Sequence, residues 1–75
     1  MTVPVERLVN PYGLNPGTQK ITIYTDAIRS IEKVRLPHYS SACVNVKFAG
    51  GRSEVFDRLE FTCAVVETAV LERRI

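Results

Sequence analysis

A chain of 75 residues, 45% hydrophobic and 24% charged, has the composition of one globular domain and excludes a disordered tail. Its net charge of +2 is too small to demand a polyanionic partner by itself. No apolar run approaches the roughly 20 residues of a membrane helix, and Pro4, Glu6 and Arg7 interrupt the stretch where a signal peptide would be apolar. The chain is therefore expected in the cytoplasm, with no membrane partner and with Cys43 and Cys63 as reduced, partly buried thiols.

Residues 1–19 are rich in turn-formers. Asn10-Pro11-Tyr12-Gly13 and Asn15-Pro16-Gly17 combine a fixed φ at proline with the freedom of glycine. Val3, Val5, Leu8 and Val9 precede them, so the segment reads as an extended arm and loop that must lie on its own sheet or on another subunit. From Lys20 to Thr25 the alternation is strict, with Ile21 and Ile23 on one face and Lys20, Thr22 and Tyr24 on the other, as in a half-buried strand. Asp26 to Leu36 fits either a helix, with Ile28, Ile31 and Val34 at a spacing of three, or a strand. A single helical turn followed by a strand reconciles the two, and Pro37 to Ser41 form a loop.

Ala42, Val44, Val46 and Phe48 then alternate with Cys43, Asn45 and Lys47 up to Gly50-Gly51. Two adjacent glycines suit a two-residue type I′ hairpin, in which both central residues take positive φ. That turn pairs Phe48 with Ser53, Lys47 with Glu54 and Val46 with Val55. Asp57 next reads as a helix N-cap with Glu60 at N3, while Phe56 and Phe61 stand at the spacing of a hydrophobic staple. Leu59, Cys63, Val66 and Val70 share one helical arc, which the sequence assigns to the sheet. Asp57 and Glu60 at its start, with Arg73 and Arg74 at its end, complement the helix dipole. The sum is an α+β domain over residues 20–75, an antiparallel meander of three to four strands packed against one C-terminal helix.

Few constellations carry chemistry. One His and two Cys 20 residues apart do not make a zinc site, and opposite orientations of Cys43 and Cys63 disfavour a disulfide. Neither thiol has a positioned base, since His38 follows Pro37 in a loop, so no catalytic residue, metal or cofactor is expected. Gly50-Gly51-Arg52-Ser53 matches no phosphate-binding fingerprint. The excess positive charge lies between Lys20 and Ser40, where Arg29, Lys33, Arg35 and Tyr39 form a candidate nucleic-acid strip, interrupted by Asp26 and Glu32. The helix offers a second candidate. Opposite the assigned core stripe lie Phe61, Val65 and Leu71, apolar where a monomer's surface helix is polar. With Tyr24 on the uncovered sheet face, they form a candidate interface for a second copy or another protein.

The strand Ile21-Thr22-Ile23, Asp26-Ala27-Ile28 leading to Ile31-Glu32, the Val44–Phe48 strand, the Gly50-Gly51 turn and the terminal helix resemble the short bacterial FlbD-like flagellar proteins over residues 20–72. The same features are similar to the β-repeat of LytTR-type DNA-binding domains. The first resemblance implies a small regulator or accessory of flagellar expression, the second a DNA contact. Residues 1–19 and the Pro37 loop depart from both patterns. The reading from residues and resemblance together is a small non-enzymatic interaction or regulatory module acting as a homo-oligomer, with a nucleic-acid-contacting regulator as the alternative.

Overall fold

The computed structural model describes the backbone of residues 1–73 and the side chains of residues 1–69. Its elements are β1 (Thr2–Val9), β2 (Gly17–Tyr24), a 3-10 turn (Thr25–Ala27), β3 (Ile28–Val34), β4 (Cys43–Phe48), β5 (Ser53–Asp57) and α1 (Arg58–Arg73). The α+β class is as expected, but the strands number five rather than three to four, in one antiparallel sheet of order β2-β1-β5-β4-β3. The 25–36 segment is a single helical turn followed by a strand.

The fifth strand comes from the N-terminal arm. β1 pairs along its whole length with β2, from Thr2 opposite Tyr24 to Val9 opposite Gly17, and meets β5 at Arg7 opposite Phe56. Val3, Val5 and Leu8 are buried by this placement. Pro4 would disrupt a strand wherever its missing N–H was needed. The Thr25 N–H donates to the Met1 carbonyl at 3.0 Å, in register with the ladder, so odd-numbered residues of β1 exchange bonds with β2. Pro4 falls on the alternate positions and costs no bond to β2. The Pro/Gly-rich segment is the hairpin loop, opened by Asn10 at φ 53° and closed by the Gly13 N–H donating to the Asn10 carbonyl at 3.0 Å.

The sheet is strongly curled. β2 and β3 are its two edges, yet only Thr25–Ala27 join them. Four strand spacings in a flat sheet separate the edges by about 19 Å, whereas the steps from Tyr24 to Ile28 span at most about 14 Å. The edges must therefore approach each other at this end, where the Ala49 N–H also donates to the Ala27 carbonyl at 2.8 Å. On the concave face Val3, Val5 and Ile23 from one end of the sheet meet Val44, Val46, Phe48 and Phe56 from the other, and Phe61 of α1 closes the cluster. Arg7 ties the β1–β2 hairpin to the meander: its Nε donates to Gln19 Oε1 at 2.7 Å, and its Nη1 lies 3.4 Å from Glu54 Oε1.

Two expectations about the second half of the chain are corrected, and one causes the other. The β4–β5 loop has three residues, not two. The Phe48 N–H donates to the Arg52 carbonyl at 2.8 Å and the Gly51 N–H to the Phe48 carbonyl at 3.3 Å, with Gly50 and Gly51 at φ 89° and 87°. Ala49 thus joins the turn, and the register moves by one residue: Lys47 faces Ser53, Val46 faces Glu54, Val44 faces Phe56 and Cys43 faces Asp57. The expected Lys47–Glu54 and Val46–Val55 pairs do not form. Because side chains alternate across a strand, the shift turns Phe56 from the outer face to the core and Val55 from the core to the outer face.

The helix follows Phe56. The expected staple is present, with the Phe56 and Phe61 rings 5.0 Å apart between centroids. Since Phe56 points into the concave core, Phe61 must do so as well, and the face of α1 on the sheet carries Phe61, Ala64, Val65, Thr68 and Ala69. This spacing of three and four residues is one helical face. Leu59, Cys63 and Val66, assigned to the core from sequence, are exposed instead. Val70, Leu71 and Arg73 have side chains outside the described residues, and Arg74 lies outside them altogether.

Candidate functional site

The strand-to-helix corner gathers several hydrogen bonds around one carboxylate. Asp57 ends β5 on the convex face, because its Cα partner is Cys43. Its Oδ1 accepts the Leu59 N–H at 3.0 Å and the Glu60 N–H at 3.2 Å, which is the N-cap read from the sequence. Its Oδ2 accepts the Tyr39 hydroxyl at 2.7 Å, a charge-assisted bond that ties the β3–β4 loop to the start of the helix. The Arg58 N–H donates to the Ala42 carbonyl at 3.0 Å alongside it. The bond to Asp57, with burial second, pushes the Tyr39 hydroxyl up to about 12. Beneath this latch Leu8, Leu36 and Cys43 are buried as a second cluster, with Val34, Tyr39 and Val55 at its margin. Burial, then the neighbouring Asp57 carboxylate, pushes the Cys43 thiol up, which suits a packing group and not a nucleophile.

An open depression of about 660 Å³ lies at this corner, lined by Ser41, Ala42, Asp57, Arg58, Leu59, Glu60 and Thr62. Of its two carboxylates, that of Asp57 is spent on the cap and on Tyr39, and Glu60 is exposed. Among the described residues no group of three or more His, Cys, Asp or Glu is placed to hold a metal ion, and no helix is long and apolar enough to cross a membrane.

The predicted interface residues separate. Phe61 is buried in the core and Val65, partly buried, packs against it. Tyr24 is 64% exposed on the convex side of edge strand β2. The apolar surface that α1 does present was assigned to the core in the sequence: Leu59 is 72% and Val66 54% exposed, with Cys63 exposed beside them. By helical spacing Leu59, Cys63 and Val66 lie on the face of α1 turned away from Phe61 and Val65, so they point outward from the sheet. Ile31 pairs with Val46 and so faces the concave side of the sheet, yet remains 54% exposed because α1 lies over β1, β5 and β4. Only the correct hairpin register could have revealed this surface from the sequence.

The predicted basic strip also divides. Arg29, Lys33 and Arg35 are all exposed along edge strand β3 and its exit. Arg29 sits at the register shift between Ile28 and Ser30, and its Nη1 donates to the Asp26 carbonyl at 3.0 Å. Tyr39 is not among them, because its hydroxyl is turned to Asp57 on the convex face. No protein-family model, no curated protein and no solved structure matches this chain.

Proposed function

We propose that this protein is a small non-enzymatic interaction module that acts as a homo-oligomer in the cytoplasm. The observation that carries the proposal is the apolar outer face of α1, where Leu59 and Val66 are each more than half exposed. Burying such side chains against a second copy removes apolar area from water, which a domain of this size gains little of from its own core. An exposed free thiol at Cys63 suits a reducing compartment. The regulatory role implied by the resemblance to FlbD-like proteins fits the same reading.

Light scattering across a concentration series tests it. The expected mass is at least twice that of the 75-residue chain, and the double substitution Leu59→Asp with Val66→Asp lowers it while the far-ultraviolet circular dichroism stays the same. A monomer at every concentration overturns the proposal. A second reading, contact with nucleic-acid phosphates, rests on the three exposed cations Arg29, Lys33 and Arg35 along one edge. It requires retention on DNA or RNA at low salt that is lost on substitution of all three by Glu, and the absence of any retention removes it.

A further inference from the structure

The two edges of the sheet are not equivalent. β3 is blunted in the ways that keep strands from pairing with other chains: a bulge at Arg29 breaks its register, and Arg29, Glu32 and Lys33 put charge on it. β2 has none of these devices. Its register with β1 is unbroken from Gly17 to Tyr24, and Lys20 is its only charged residue. An edge of this kind is a template for strand addition.

The direction of its free groups follows from the ladder. The Thr25 N–H donates to the Met1 carbonyl, so the odd-numbered residues of β2 exchange bonds with β1. The N–H and C=O groups of Thr18, Lys20 and Thr22 and the N–H of Tyr24 therefore point outward from the sheet edge, while the Tyr24 carbonyl is engaged as N-cap of the 3-10 turn. Their side chains lie on the convex face, opposite Leu8, Glu6, Pro4 and Thr2 respectively, and all four are exposed.

We infer that β2 pairs antiparallel with β2 of a second copy across a two-fold axis at Thr22, joining the two five-stranded sheets into one. Two antiparallel edges related by a two-fold axis perpendicular to the sheet keep the same faces aligned, so each residue must meet one of like parity. Centring on Lys20 sets two ammonium groups against each other. Centring on Ile21 places Gln19 beside Ile23 of the second copy. Centring on Thr22 sets Thr22 against its own copy and Ile21 against Ile23 on the concave side. It also brings Lys20 against the ring of Tyr24 on the convex side, where a cation can rest on an aromatic face. In that register the backbone groups of Thr22 pair with those of its own copy and the Tyr24 N–H meets the Lys20 carbonyl of the second copy, and the exposed Tyr24 ring and half-buried Ile21 are covered.

The inference rests on the homo-oligomer proposal above but places the contact on a different surface, so the two can fail separately. Cysteine scanning in a Cys63→Ser background tests it, with Thr22→Cys on β2 and Glu32→Cys on β3, each oxidised at a concentration where light scattering reports an oligomer. The expected result is a covalent dimer from Thr22→Cys and none from Glu32→Cys, since a pair at the axis has Cα atoms within disulfide reach. Without added cysteines, Thr22→Lys weakens association roughly tenfold or more by setting like charges at the axis, with the fold unchanged. An oligomer that ignores Thr22→Lys and cross-links elsewhere or not at all overturns the β2 contact and leaves the homo-oligomer standing. A wild-type monomer overturns both.

Discussion

On its concave face the sheet buries Val3, Val5, Ile23, Val44, Val46, Phe48 and Phe56 under Phe61. Among the described residues its convex face buries Leu8, Leu36 and Cys43, beneath a loop held by a hydrogen bond from Tyr39 to Asp57 and one from the Arg58 N–H to the Ala42 carbonyl. The same strands supply both clusters, since alternate residues of β1, β4 and β5 turn opposite ways. The difference lies in what closes each face. A helix can cover a wide apolar area through its own side chains, so α1 is seated on the concave face by apolar contact, while the Arg7–Glu54 pair on that face ties strand to strand. A loop of a few residues cannot, and the convex face adds a charge-assisted bond to hold the cover down. Asp57 stands where the two systems meet, capping the helix of one with Oδ1 and latching the loop of the other with Oδ2.

The comparison can be broken most severely from the concave side. Phe56 is fully buried and packs against Phe61 with the rings tilted. Phe56→Ala is expected to lower the stability by about 3–5 kcal/mol in urea unfolding, which for a domain of this size leaves little folded protein. A loss below about 1 kcal/mol would show that the helix is not seated on this ring.

Leu36→Ala on the convex side is expected to cost about 2 kcal/mol, and it carries a local readout. In the native protein a thiol reagent should modify the exposed Cys63 promptly and the buried Cys43 slowly. Leu36→Ala uncovers Cys43 and should raise its labelling rate with little effect on Cys63. Equal acceleration at both sites would mean global unfolding and not loss of a cover.

Removing the latch is the smallest change. Tyr39→Phe keeps the ring and deletes the hydroxyl, at a cost of about 1 kcal/mol at neutral pH. Its pH dependence has a definite sign. The folded Tyr39 loses its proton near 12, above its ordinary value of 10.0, so the bond contributes fully below pH 10 and is lost as pH rises towards 12. The stability difference between wild type and Tyr39→Phe should therefore shrink across that window. A constant difference would place the effect in packing.

Much of this architecture was legible in single residues. The alternation of Ile21 and Ile23, the turn at Asp26, the strand ending at Phe48, the Asp57 cap and the Phe56–Phe61 staple could all be read because each depends on local chemistry: pleat parity, φ preference, or a side chain reaching the next turn. The candidate site was less accessible. Leu59 and Val66 were visible as an apolar stripe, but the sequence offers two such stripes on one helix, the second through Phe61 and Val65. Nothing local says which is covered.

What the sequence by itself determined was the order of strands and turns between Lys20 and Asp57, the helix that follows, and the cap and staple that bind the last strand to it. Tertiary structure decided the rest. Pro4 is tolerated in β1 because its missing N–H falls at a position that β2 does not use, and that depends on the partner strand. The hairpin takes Ala49 into its turn because Val44 and Phe56 then meet in a shared core, although Gly50-Gly51 alone would accept a loop of two. That single residue of register turns Phe56 inward, Phe56 draws Phe61 after it, and the helix presents the opposite face to solvent. A period of two along the strand amplifies a one-residue difference into the identity of the exposed surface.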